Sequence, residues 1–246
     1  MLSSIWHSLL YQPLLNALAF LVSIIPGGNV GVAVILLTIF VRLILFPLSQ
    51  KSIKSQAQMN LLTPELNKIK ASGASKEEQA QRQFELYRQH KVNPFSGCLL
   101  QIPIIFVIIA LYTVFLKGVN FESGSLYSFV HVPAQINVLF FGLDITKKSF
   151  ILAALAGVSQ YLQARFMPQP PAPAPNAGKS FQDGFARSLN MQMKYFFPIF
   201  IFIILYTDFL GVSLSGAIAL YWITSNLFSV GQQIYVNKKI KLVPQP

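Results

Sequence analysis

The segment TIFVRLILFPL, residues 38–48, places one arginine inside an apolar run. Between Val30 and Leu48 no other side chain is charged, and Arg42 is the first charged residue of the chain. A permanent guanidinium in such a setting can attract or hold an anion. An arginine at mid-membrane costs about 2.5–3.5 kcal/mol on insertion scales and about 10–17 kcal/mol in simulations of isolated helices. An intramembrane carboxylate would offset that cost, but the apolar runs supply none. Glu65, Glu77, Glu78, Glu85, Glu122, Asp144 and Asp183 fall in polar connections, and Asp208 sits near the outer end of an apolar run. The expectation is a watered cavity around Arg42 that opens to the cytoplasm.

Other chemistries find little support. Ser213 and Ser215 in GVSLSG have glycine neighbours, but His7, His90 and His131 all lie outside the expected spans, which leaves no base for a serine nucleophile. Cys98 is the single cysteine, and no Cys/His set has metal-ligand spacing. No nucleotide motif is present. The expectation is therefore no catalytic residue, no cofactor, no metal and no enzyme activity.

The elements that must position Arg42 follow from composition. The 246 residues are 53% hydrophobic and 11% charged, with a mean hydropathy of +0.53. A soluble domain carries roughly 25% charged residues. A membrane-crossing helix needs about 20 apolar residues, and five stretches approach that length: 30–49, 94–116, 149–167, 194–210 and 212–235. The fold class expected is an all-α membrane protein with a five-helix transmembrane bundle. Segment 51–92 holds eight Lys and Arg, segment 165–194 four and the tail three. The other side has only Lys117, Lys147 and Lys148. The positive-inside rule then puts the N-terminus outside and the C-terminus in the cytoplasm.

Residues 5–25 are apolar enough to span, but Ser4, Ser8, Gln12, Asn16 and Ser23 recur at intervals near four, and the expectation preferred for residues 1–28 is an amphipathic interfacial helix. Residues 29–240 form the core, and 241–246 a short basic tail. Within the core, 51–92 reads as a cytoplasmic helical hairpin with SGAS at 72–75 as its turn and almost no core of its own. Residues 168–192 form a cytoplasmic linker loop that includes PQPPAPAP. The outer loop 117–148 offers Phe129, Leu139, Phe140 and Phe141 to the membrane interface. No cleavable signal peptide is expected, because the N-terminus lacks a basic region.

Positions four or seven apart share a helix face. Thr38, Arg42 and Ser49 line up on the first span, and Gln101 and Tyr112 on the second. Ser149, Gln160 and Gln163 line up on the third, and Ser215, Trp222, Asn226, Ser229 and Gln233 on the fifth. Each of Gln101, Gln160 and Asn226 taken singly reads first as an interhelical hydrogen bond. Trp222 and Tyr221 also suit interface anchors.

Three segments, TIFVRLILFPLSQKSIKSQAQMNLLTPELNKIK, KVNPFSGCLLQIPIIFVIIALY and LYWITSNLFSVGQQ, resemble the YidC/Oxa/Alb family of membrane protein insertases in order and spacing. The resemblance covers about residues 29–240. It points to the family's bacterial branch, in a short form without the large periplasmic domain. It implies a hydrophilic groove open to the cytoplasm and the lipid, with Arg42 as the groove arginine. Tyr221 and Trp222 match the family's substrate-contacting aromatic region, and Gln160 and Gln163 its polar positions on the third helix. With Thr38, Gln101 and Asn226 these make the expected substrate-binding groove. The family's Pro-Ser/Ala-Gly before the last helix is Leu214-Ser215-Gly216 here.

The resemblance implies a chaperone-like insertase of the bacterial plasma (inner) membrane that works without ATP. It moves polar tails of nascent membrane proteins through the groove and releases their apolar segments into lipid. Partners implied are nascent membrane proteins, the lipid bilayer, the ribosome through the basic cytoplasmic surface, and the Sec translocon; the chain is expected to be a monomer. The alternative from the residues alone is a small membrane transporter or channel with Arg42 as its substrate site, although no inverted repeat is found.

Overall fold

The computed structural model describes residues 6–92, 105–114, 121, 126–166, 191–208, 211 and 213–242. These residues are mostly helical. Helix α1 (Gln12–Ile24) follows a π turn, His7–Tyr11. Next come α2 (Val30–Ile44), α3 (Phe46–Leu61), α4 (Thr63–Ala71), α5 (Lys76–Gln89) and α6 (Ile105–Val114). A small hairpin of β1 (Leu139–Phe140) and β2 (Leu143–Asp144) precedes α7 (Phe150–Phe166). A second π turn, Gln192–Phe196, leads into α8 (Phe197–Tyr206), and α9 is Gly216–Leu242. Both π turns stand just ahead of a proline, Pro13 and Pro198. A proline lacks the N–H for the carbonyl four residues back, and a wider register absorbs the missing bond.

The expected first span, 30–49, is not one helix. It stops at Ile44, and α2 and α3 meet at 62°. Pro47 is the cause: it cannot bond the Leu43 carbonyl, and its ring crowds that turn. The second break, between α3 and α4, also comes just ahead of a proline, Pro64. By length and composition His7–Ile24 is able to cross a bilayer, and the bent α2–α3 pair is a second candidate; Ile105–Val114 and Gln192–Tyr206 are shorter apolar helices. The last helix exceeds its expected range of 212–235. It runs unbroken to Leu242 and takes in the start of the expected tail.

The core lies where α9 packs on α7 and α2, α7 on α8, and α1 on α2. Leu18, Val22, Val30, Val34, Ile145 and Ile218 are fully enclosed there. Gly157 lets α7 approach α8: a Cβ on it would come 3.1 Å from the Pro198 carbonyl oxygen. The N-terminal helix does not present one polar face. Ser8 and Ser23 are exposed, but Asn16 is buried, and its Oδ1 accepts a 2.6 Å bond from the Tyr127 amide of the loop before α7.

The hairpin after α3 has more core than its sequence suggests. Leu62, Leu66, Leu86 and Val92 are buried together, with Met59, Ile69 and Tyr87 against them. Its turn is as expected: Ser75 caps α5 by accepting from the Glu78 amide at 3.2 Å. Burial raises the Tyr87 phenol above its ordinary pKa.

The loop between α6 and α7 ties the helix ends together. Asn137 exchanges backbone bonds with Gly28 and Val30, each 2.9 Å. The Lys147 and Ile145 carbonyls accept from the first amides of α9, Gly216 and Ala217. These would otherwise be unsatisfied at a helix start. Lys148 pairs with Asp208 beyond the end of α8 and holds that carboxyl below its usual range.

Candidate functional site

Arg42 lies in the last turn of α2, half-buried, and points toward α9. Its Nε donates to Ser225 Oγ at 2.9 Å, and its Nη2 donates to the same oxygen. Tyr221, buried one turn earlier on α9, lies against both. Among the described residues no carboxylate pairs with Arg42. The guanidinium is thus steered by a neutral hydroxyl and keeps its charge unneutralised.

A second polar cluster joins α7 to α9. Gln160 Oε1 accepts from Trp222 Nε1 at 2.8 Å and from Asn226 Nδ2 at 3.2 Å. Asn226 Nδ2 also donates to Ser159 Oγ at 3.0 Å. Ser159, Gln160 and Asn226 are all buried. A third contact braces the α2–α3 break: Gln232 Nε2 donates to Ser49 Oγ at 2.6 Å and to the Phe46 carbonyl at 3.3 Å.

The expected groove residues therefore divide. Arg42 and Tyr221 meet through Ser225. Gln160, Trp222 and Asn226 meet one another. Thr38 is buried, and its hydroxyl donates to the Val34 carbonyl of its own helix at 2.6 Å. Gln163 is half-buried on α7. Gln101 lies outside the described residues. Ser49 joins Gln232 and not the Arg42 face, because the helix bends between them.

Ser225, Ser159 and Gln232 are absent from the sequence-derived set. The signal for Ser225 and Gln232 is spacing: Tyr221, Ser225 and Gln232 are four and seven apart and form a seam one residue round from Trp222 and Asn226. What the arrangement can do is electrostatic. A cation held in place, with no carboxylate beside it among the described residues, can attract an outside carboxylate.

The family model for the 60Kd inner membrane protein matches residues 20–243. The chain belongs to the YidC/Oxa/Alb family. A protein called membrane protein insertase YidC, from Fusobacterium nucleatum subsp. nucleatum, is 34% identical over 241 residues, which are 94% of this chain and 98% of that relative. Another of the same name, from Oleidesulfovibrio alaskensis, is 32% identical over 238 residues, 95% of this chain and 39% of that relative. The chain thus spans well under half of the longer YidC relatives it matches. A crystal structure of an active YidC insertase with its first transmembrane domain resolved superposes with a TM-score of 0.51 at 24% identity, over 82% of this chain and 41% of that one. That likeness is one of fold. The YidC/Oxa/Alb family is a membrane family, which accounts for the many large apolar side chains, Phe40, Leu43, Ile44, Phe196 and Ile199 among them, that the structure leaves exposed.

Proposed function

We propose that this chain is a membrane protein insertase and chaperone whose working element is the unneutralised Arg42 charge. The observation that carries the reading is the Arg42–Ser225 contact: a guanidinium in an apolar helix, aimed by a hydroxyl and matched by no carboxylate among the described residues. Family membership supports it, as does the name carried by the relatives.

In this reading Arg42 lies in a hydrophilic groove open to the cytoplasm, lined also by Thr38, Gln101, Gln160, Gln163, Tyr221, Trp222 and Asn226. It draws an acidic tail or loop of a nascent membrane protein partway into the bilayer. The apolar segment behind the tail then partitions into lipid and supplies the driving force. The membrane potential, positive outside, adds about 2.3 kcal/mol per 100 mV for each anionic charge moved outward. The chain does this without ATP, as a carrier of segments and not as an enzyme, in the bacterial inner membrane. The ribosome would dock on the basic cytoplasmic surface, the Sec translocon is a working partner, and the chain acts as a monomer.

The core is residues 29–240 with five spans, the N-terminus outside and the C-terminus inside. Helix α1 lies along the outer surface. In support, Asn16 at its middle bonds the outer loop, which would otherwise have to reach well into the bilayer. Single cysteines at positions 8 and 23, in a Cys98→Ser background, should both be labelled by a membrane-impermeant reagent from outside. Labelling of position 8 only from the cytoplasm would make α1 a span.

The activity is tested by reconstituting the chain in liposomes with a single-span client whose tail carries acidic residues. Protease protection of the tail should appear with the chain and not with lipid alone, and should fall when the tail is neutralised. Equal protection of both tails would refute the charge mechanism. No protection of either would refute the insertase reading.

A further inference from the structure

The loop between α6 and α7 has no part in the Arg42 site, yet its surface is unusual. From Leu126 to Leu143 it contains no Asp, Glu, Lys or Arg. Its large apolar side chains face outward all the same. Phe141 is 92% exposed and Phe129 73%, with Val132, Ile136 and Leu139 also exposed. Single exposed hydrophobic residues are ordinary; five on one uncharged loop are a patch.

The tip is built to present a ring. Phe141 and Gly142 form a two-residue turn between β1 and β2, with φ of +48° and +78°. Asn or Gly normally fills the first of these positions, and a bulky residue there is strained. Phe140 packs edge-to-face against Phe141 and covers Gly31 of α2, where a Cβ would come 2.6 Å from the Phe140 ring. Phe129 stacks on Tyr127, whose amide is held by Asn16. The nearby charges are mutually neutralised: Lys147 pairs with Asp144 at 3.1 Å and Lys148 with Asp208.

We propose that this loop is a lipid-seated collar, with Phe141 and Phe129 entering the headgroup–acyl boundary of the outer leaflet. A lipid surface fits better than a protein partner on two grounds. The patch has no charged side chain to orient a protein partner. The loop is also continuous, at its two attachments, with the exposed apolar faces of α2 (Leu36, Phe40) and α7 (Phe150, Ile151, Leu155). Aromatic side chains concentrate at such boundaries. The same loop fixes the starts of α2 and α9. Its depth in the leaflet therefore sets the depth of Arg42, about 18 Å along α2 from Val30 at the helical rise of 1.5 Å per residue. The collar rests on the membrane placement of the chain, and its test reads no insertion, so it stands or falls separately from the insertase reading.

The test uses the full chain in lipid nanodiscs. Phe141→Cys in a Cys98→Ser background is labelled with an environment-sensitive fluorophore, and Gln81→Cys, exposed on α5, is the water-facing control. At position 141 the emission should be blue-shifted, and iodide quenching several-fold weaker than at 81. Lipids brominated near the carbonyl end of the acyl chain should quench it more than lipids brominated at the chain end. Iodide quenching equal to the control would overturn the collar. So would protection from both iodide and brominated lipid, which would mean that protein covers the tip. Should a cysteine disturb the turn, the same label on Phe129→Cys must give the same pattern; a water-exposed label there overturns it too.

Discussion

Along α9, Trp222 and Asn226 face α7, and Ser225 and Gln232 face α2 and α3. The first seam is neutral and closed. Its amide and indole donors find acceptors on α7, and its buried atoms are matched. The second seam holds a charge with one hydroxyl to steer it. Polar residues a single position apart on one helix thus do different work. The neutral seam binds helix to helix, and the charged seam holds a cation with no carboxylate beside it among the described residues.

Four substitutions test that contrast. Arg42→Ala has the largest expected effect: insertion of an acidic-tailed client falls to the level of lipid alone, while the thermal midpoint in detergent holds or rises. Full activity would erase the distinction between the seams, and unfolding would mean that the charge has a structural counterpart. Gln160→Leu comes next and acts on stability. It strands the Trp222 donor, leaves Asn226 with Ser159 alone, and should cost about 1–2 kcal/mol in detergent unfolding, with insertion per folded molecule lowered far less than by Arg42→Ala. A loss of insertion as deep as that of Arg42→Ala, at unchanged stability, would make the neutral seam as much a part of the working element as the charge. The smallest effect is expected from Ser225→Ala, which leaves the charge and removes its guide. Client protection should drop a few-fold, and Arg42→Lys should behave alike, since an ammonium keeps the charge without the guanidinium fork. A Ser225→Ala loss as deep as that of Arg42→Ala would show that aim matters as much as charge.

The sequence makes some of this legible. Apolar length marks 149–167, and the structure has α7 over Phe150–Phe166. The SGAS turn and the Ser75 cap stand where the spacing puts them. The break at Leu45 is announced by Pro47 yet hidden by an apolar run that continues through it. The far end of α9 reads as a tail because Lys238, Lys239 and Lys241 end the apolar pattern, although lysine favours helix and suits a C-terminus. The hardest feature is Ser225. Hydroxyls in helices usually bond their own backbone, as Thr38, Thr224 and Ser229 do. A serine that instead accepts from a distant guanidinium looks the same in a sequence.

The unbroken course of α9 has a kinetic consequence. Its 27 residues measure about 40 Å at the helical rise, more than the roughly 30 Å of a hydrocarbon core. No proline interrupts them, so its amides form one ladder from the loop before α7 past the neutral seam, Arg42 and the Phe46 brace. Hydrogen exchange at the middle of that ladder must wait for an opening that releases all three neighbours together. The α2–α3 pair, cut at Leu45, divides into two exchange units, and α3 can open while α2 stays closed. Arg42 therefore sits on the slow side of that boundary, one turn before the break at Leu45.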